Sequence, residues 1–263
     1  MFKGFLFDLD GTVYLSDRLI PGADRVIRLL RERGRKVIFL SNKPIQTRED
    51  YARKLTRLGI PTEPAEVINS TLVMIRYLKK HAPHARLFVV GEEPFVEELR
   101  RAGFTIREEP EKIDYVVVAF DRTFDYRKLN IAFQAIKRGA HFVATNPDRT
   151  CPVEGGEIPD CAAMIAAIEA VTRKRVEQIV GKPSPLIIET ALETTGLRGE
   201  DCILIGDRLE TDIRMGREAG IATALVLTGV TDEKTLQSST IQPNFVFRSI
   251  AEVESLLYEP KRS

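Results

Sequence analysis

Two rhythms of apolar and polar positions alternate along the chain. Gly4-Phe5-Leu6-Phe7 is a short unbroken apolar run that stops at Asp8, the pattern of a strand buried on both faces. Over 23–33 apolar residues recur at helical spacing, and Gly34 closes the segment. Lys36-Val37-Ile38-Phe39-Leu40 reads again as a strand. A Thr47-x-x-Asp50 capping box predicts a second helix, with Tyr51, Leu55 and Leu58 on one face and Gly59 at its end. A third is expected over 70–80, before Ala82-Pro83-His84 breaks the pattern. Strand, helix, strand in succession predicts a parallel sheet, because parallel neighbours need a crossover between them.

Past residue 83 the pattern restarts, with strands over 86–90, 115–119 and 141–144 and helices near 94–102 and 126–138. A helix rich in small apolar residues follows over 161–171. The first rhythm returns at Ile179-Val180, with buried strands over 202–205 and 223–227 and a helix near 212–219 between them. The expected fold is therefore α/β: a Rossmann-like parallel-sheet core from residues 1–82 and 179–263, with a smaller α/β domain, 83–178, inserted into it. The last residues, 259–263, should fray.

Composition narrows the functional classes. With 263 residues, 43% apolar and 29% charged, the chain is an ordinary globular protein too long for one minimal core. Lys and Arg number 39 against 38 Asp and Glu, so no whole-molecule field draws in nucleic acid or an anionic membrane. Arg173-Lys174-Arg175 and the arginines at 28, 31, 33 and 35 read as solvated helix faces. Cys151, Cys161 and Cys202 form no C-x-x-C pair, which predicts free thiols and a cytoplasmic home. No stretch approaches a membrane span, and the early start of the first strand predicts a chain without a signal peptide. His81, His84 and His141 are too scattered to suggest a histidine-rich metal site.

Candidate chemistry sits where strands end. Asp8 and Asp10 leave the first strand two positions apart, and Gly11 lets the chain turn so that both acids face one pocket. Two like charges so close require a shared proton or a cation, and magnesium, which prefers carboxylate oxygens, can also grip a phosphate. Ser41-Asn42 follows the second strand. Gly181-Lys182-Pro183 precedes a helix with Ser184 as cap and Pro185 at its first position. Gly206-Asp207-Arg208-Leu209-Glu210-Thr211-Asp212 follows the 202–205 strand. Each alone is a common turn or cap. Together, at the carboxyl ends of parallel strands, they supply a nucleophile, an acid, a hydroxyl, a cation and metal ligands.

In these four motifs the chain resembles the haloacid dehalogenase-like (HAD) superfamily of phosphohydrolases, over essentially its whole length. Only the interval between Ser41 and Lys182 can hold a domain. That placement is similar to the type-two (class IIA) cap of the nitrophenylphosphatase-like branch, as are Ala144-Thr145-Asn146-Pro147-Asp148 and Gly181-Lys182-Pro183-Ser184-Pro185. The resemblance implies a phosphomonoester hydrolase in which Asp8 is the nucleophile that forms an aspartyl-phosphate and Asp10 the general acid and base. It implies Mg2+ held by Asp8, the Asp10 carbonyl and Asp207, with Asp212 in the outer shell. Ser41 and Lys182 would bind phosphoryl oxygens, with main-chain N–H groups near Asn42 and over Arg208, Leu209, Glu210 and Thr211.

Within that superfamily the resemblance implies that an aspartate at position 10 disfavours dehalogenases and ion-pump ATPases, and that the short interval from Asp8 to Ser41 disfavours phosphomutases. The cap should close over the site and read the leaving group, with Asn146, Asp148 and Arg149 as candidates. The substrate is expected to be a small phosphorylated metabolite, with sugar phosphates foremost. Nucleotides, phosphoglycolate and pyridoxal phosphate are the alternatives, and a phosphate-binding module without catalysis is the rival class. The resemblance also implies a homodimer formed through the cap.

Overall fold

The computed structural model describes residues 1–153 and 155–258, so the expected fraying of 259–263 lies outside the described residues. The chain opens with β1 (Gly4–Asp8), a small ribbon of β2 (Tyr14–Leu15) and β3 (Arg18–Leu19), α1 (Ala23–Glu32), β4 (Lys36–Ser41), α2 (Arg48–Arg57) and β5 (Val67–Asn69). Then come α3 (Ser70–His81), β6 (Arg86–Val90), α4 (Glu93–Arg101), β7 (Thr105–Ile106), β8 (Tyr115–Val118), α5 (Tyr126–Lys137) and β9 (His141–Ala144). A hairpin of β10 (Thr150–Val153) and β11 (Gly156–Pro159) leads to α6 (Cys161–Thr172) and β12 (Gln178–Ile179). The chain continues through α7 (Pro185–Thr195), β13 (Cys202–Gly206), α8 (Arg214–Glu218), β14 (Ala222–Val226), α9 (Glu233–Ser238) and β15 (Phe245–Phe247), and a 3-10 helix spans Ile250–Leu257.

Two compact units emerge: Met1–Ser41, Arg48–Ile68 and Lys182–Ser263 form the first, Asn42–Thr47 and Asn69–Gly181 the second. The first is built on a six-stranded sheet ordered β15-β14-β13-β1-β4-β5, in which β1 pairs in parallel with β13 on one side and β4 on the other. All five residues of β1 are buried, as its unbroken apolar run requires. Phe5, Phe7 and Phe39 line one face with ring centroids 6.4 Å apart along the series. On that face α1 buries Val26, Ile27 and Leu30, which share a core with Ile250, Val253 and Leu256 of the 3-10 helix. Each such side chain contributes about 1.5–3 kcal/mol by leaving water.

The second unit carries a five-stranded parallel sheet ordered β12-β9-β8-β6-β7, the cap, with α5 and α6 packed against one another and on β8. Here the structure moves the expected boundary at residue 83: α3 belongs to the second unit, where it packs beside α4. Its amphipathic pattern announces that it is packed but not which sheet receives it. Where the α-helix is expected from 212, a π-helical turn over Leu209–Ile213 comes first and α8 follows from Arg214. Among the described residues no helix is long and apolar enough to cross a membrane.

Candidate active site

Register alone gathers the first unit's motifs. Asp8, the last residue of β1, is level with Leu40, so Ser41 follows one step beyond; on the other side Phe7 is level with Ile205, so Gly206 and Asp207 leave β13 at the same edge. This is the carboxyl edge of a parallel sheet. Lys182 arrives from the segment before α7, whose start is fixed by Ser184, its hydroxyl accepting from the Leu186 N–H, with Pro185 at the first helical position. Asp212 is folded back by the π-turn, in which the Ile213 N–H donates to the Arg208 carbonyl at 3.1 Å, and the Arg208 N–H donates to Asp212 Oδ2 at 3.2 Å.

The resulting centre is a buried cluster of Asp8, Asp207 and Asp212, each offering a carboxylate oxygen within 4.8 Å of the others. One cation enters it: the Lys182 ammonium donates to Asp8 Oδ1 and, at 2.9 Å, to Asp212 Oδ1. Lys182 is 5% exposed. Burial alone would drive off its proton, yet Asp212 and Asp8 together hold its pKa above the ordinary range. Burial pushes the Asp8 carboxyl well above its usual value against the attraction of Lys182, and Asp212 and Asp207 add repulsion. Burial and then Asp212 push Asp207 up to about 6. Three carboxylates share one ammonium, so full ionisation leaves an excess of two negative charges that a divalent cation would balance.

The donor set fits such an ion. Asp207 Oδ2 accepts from the Val230 N–H at 2.7 Å, while its Oδ1 is buried with no hydrogen-bond partner. An orphaned carboxylate oxygen inside a protein is costly unless something hard and positive meets it. The chain makes room for Asp207 by using glycine on two sides. A Cβ at Gly229 would lie 1.9 Å from Asp207 Oδ2, and one at Gly11, whose φ is +88°, would lie 2.6 Å from the same atom. Gly229→Ala is therefore expected to displace the Asp207 carboxylate and weaken Mg2+ binding by about tenfold or more, measured by calorimetric titration. Unchanged affinity would remove Asp207 from the ligand set.

A second expectation concerns pH. In the metal-free protein the folded state holds the Asp207 proton more tightly than the unfolded chain does, with a pKa near 6 against 3.8. Stability from this group is thus greatest below about pH 4, falls as pH rises toward 6, and above that carries a penalty on the order of 3 kcal/mol. A divalent cation held by the cluster would relieve the penalty once the proton is gone and would have to displace the proton below it. The rise in melting temperature on adding Mg2+ should be larger near pH 7.5 than near pH 5. Equal shifts at both would mean that the ion does not meet Asp207.

Other sequence candidates fall into two sets. Asp10 lies two residues past Asp8 in a tight loop where the Gly11 N–H donates to the Tyr14 carbonyl at 2.8 Å. The Ser41 hydroxyl lies 3.0 Å from the Tyr51 hydroxyl of α2, a buried pairing. Leu209 is wholly buried with Ile213 and Leu225, so only its peptide is available to a ligand; Glu210 is exposed. Asp212 has both oxygens engaged by Lys182 and Arg208, which suits an indirect role toward a metal. Asn42, Asn146 and Asp148 lie together in the second unit, where Asn42 Nδ2 donates to Asp148 Oδ2 at 3.0 Å, and Arg149 is exposed.

Tyr51 and the Thr228-Gly229-Val230 turn were not legible as site residues. The turn could have been found, since it too follows a buried strand. Thr12 and Thr211, in the loops that follow β1 and β13, each carry a buried hydroxyl with no protein partner, and both hydroxyls can serve oxygen-rich ligands.

Comparison with known proteins agrees with this geometry. Residues 5–105 match the family profile described as haloacid dehalogenase-like hydrolase, and residues 179–253 match one described as HAD-hydrolase-like. The chain is 41% identical over 256 residues to the sugar-phosphatase AraL of Bacillus subtilis, covering 97% of this chain and 93% of that one. It is 34% identical over 249 residues to the acid sugar phosphatase of Staphylococcus haemolyticus, covering 95% and 94%. Among solved structures, the 4-nitrophenylphosphatase of Thermotoga maritima superposes with a TM-score of 0.93 at 34% identity over 97% of each chain.

Proposed function

Because the chain belongs to the haloacid dehalogenase-like hydrolases, in the class IIA branch of nitrophenylphosphatase-like phosphomonoester hydrolases, we propose that it is a magnesium-dependent enzyme that acts through an aspartyl-phosphate on small phosphorylated metabolites, sugar phosphates foremost. The observation that carries this reading is the cluster of three buried carboxylates around one ammonium, two positive charges short of balance.

In the proposed mechanism an Asp8 oxygen attacks phosphorus, the bond to the leaving oxygen breaks, and Asp10 gives that oxygen its proton. Asp10 then takes a proton from water as the water oxygen attacks the same phosphorus. The bond between phosphorus and the Asp8 oxygen breaks, which releases phosphate and restores the free carboxylate. A bound Mg2+ would supply charge to the phosphoryl oxygens and lower the pKa of the surrounding carboxylates. Lys182 holds Asp8 Oδ1, which orients the nucleophile and favours its ionised form. Ser41 and the main-chain N–H groups over 208–211 would receive the equatorial oxygens as charge spreads across them. Asp212 fixes Lys182 from the other side.

Sugar phosphates are favoured because AraL and the staphylococcal relative are sugar phosphatases by name. The second unit is proposed to select the leaving group, since the first unit's motifs address only phosphate and metal. Phosphate release from sugar phosphates, nucleotides, phosphoglycolate, pyridoxal phosphate and 4-nitrophenyl phosphate, with Mg2+ or with EDTA, tests the reading. Turnover with Mg2+ that EDTA abolishes is expected, with sugar phosphates ranking first. A nucleotide or pyridoxal phosphate in first place would overturn the substrate class, and release unaffected by EDTA would overturn the metal.

A further inference from the structure

We infer that the network of the buried Asn42, Ser70 and Asn146 with the half-buried Asp148 is a positioning device for the phosphate-gripping residues, acting through the chain, and that Asn146 and Asp148 do not read the leaving group. The inference rests on the phosphatase reading above. The chain passes between the two units at four places, and two of them are the peptides Ser41–Asn42 and Gly181–Lys182. Each therefore has a phosphate-binding candidate as its first-unit residue.

The second-unit residue of both peptides is fastened to one loop, 145–148. The Asn42 carbonyl accepts from Ser70 Oγ at 2.6 Å and from Asn146 Nδ2 at 3.1 Å, while its side chain donates to Asp148 Oδ2 at 3.0 Å. Asn146 Oδ1 in turn accepts from the Asp148 N–H at 3.0 Å. The Gly181 N–H donates to the Thr145 carbonyl at 2.7 Å. A Cβ at Gly181 would sit 2.5 Å from that carbonyl and 2.6 Å from Asn42 Oδ1, so the two strands of chain are held closer than any side chain permits. Further along, Asn69 Nδ2 donates to the Gln46 carbonyl at 3.2 Å and ties the far end of the 42–47 segment to the start of α3.

Burial separates positioning from recognition. Asn146 is 1% exposed, and both ends of its amide are engaged within the network, which turns it away from a substrate hydroxyl. Ser70 is wholly buried, and Asn42 nearly so. A buried polar network of this kind holds one geometry while every member is satisfied and loosens when one is lost. Ser41 and Lys182, being covalent neighbours of Asn42 and Gly181, inherit that geometry. Small displacements of groups that grip the reacting phosphoryl cost about tenfold to a hundredfold in rate.

The two roles give different substrate patterns. Asn146→Ala and Asp148→Ala are expected to lower kcat/KM by about tenfold for a sugar phosphate and by the same factor for 4-nitrophenyl phosphate, which has no sugar hydroxyls. Binding of inorganic phosphate in the presence of Mg2+, measured by calorimetry, should weaken by a similar factor. Asp148→Asn, which keeps an oxygen to accept from Asn42, should restore most of the loss. Loss confined to the sugar phosphate would overturn the inference and make these residues readers of the leaving group. Unchanged kinetics and phosphate affinity in both alanine variants would overturn it as well. If wild type binds phosphate but releases none from any ester, the phosphatase reading alone falls, and phosphate affinity across the variants still decides the role of the network.

Discussion

Asp8→Asn is expected to reduce turnover by about five orders of magnitude, to the level left by binding and charge stabilisation alone. The amide keeps the shape of the carboxylate but has no oxygen able to attack phosphorus. The same substitution should leave the fold intact and raise the melting temperature of the metal-free protein. Asp8 is 7% exposed and sits among Asp207 and Asp212, and burial disfavours its charged form. Removing one charge from an acid cluster that holds a single ammonium relieves repulsion. Kinetics and calorimetry on one preparation check both halves: a variant that is inactive and less stable would point to a structural defect, not to a missing nucleophile.

The second large effect is expected at Lys182, in the opposite sense for stability. Lys182→Met preserves much of the side-chain volume and leaves Asp8 and Asp212 without their shared cation. Breaking a buried pair from one side costs about 3–5 kcal/mol, and kcat/KM should fall by about a thousandfold as a phosphoryl-binding charge is lost. The sign of the pH dependence follows from the raised carboxylate pKa values. Near pH 5 Asp207, pushed up to about 6, and Asp8, raised by burial, can take up protons and the destabilisation shrinks; near neutrality it is largest. Mg2+ should recover part of the lost stability. Thermal unfolding at both pH values with and without Mg2+ measures this, and a loss of stability that does not change with pH would contradict the charge account.

Much of this architecture was legible because the strands that carry chemistry are unbroken apolar runs. Gly4–Asp8, Lys36–Ser41 and Cys202–Gly206 each end in the residues that form the site, so reading where the run stops also reads where the chemistry begins. Helix ends were legible where glycine closes them: the Gly34 N–H donates to the Arg31 carbonyl at 2.9 Å with φ at +68°. What escaped was short or defined by context. The edge strands Val67–Asn69 and Phe245–Phe247, three residues each, and the 150–159 hairpin carry too few positions to show a period. The π-turn over Leu209–Ile213 is invisible to the pattern because it follows no 3.6-residue period.

The site shows the same division. Asp8, Lys182, Asp207 and Asp212 are candidates from motif chemistry alone, and the structure brings all four together. In the sequence Tyr51 belongs to the apolar face of a helix, and its contact with Ser41 depends on how α2 lies on the sheet. Asn146 and Asp148 stood out in the sequence as polar residues after a strand, which suits a ligand and a buried hinge equally. The burial of Asn146 and the hydrogen bonds that both residues make favour the second.

The most direct test of the account is whether Asp8 itself carries the phosphoryl group during turnover. Rapid acid quench of the enzyme with Mg2+ and 4-nitrophenyl phosphate, followed by mass spectrometry of the peptide that contains Asp8 and Asp10, reads the adduct. The account predicts a phosphoryl group on Asp8, formed within the first turnover and absent in Asp8→Asn. Steady release of phosphate with no adduct on Asp8, or an adduct on another residue, would contradict it.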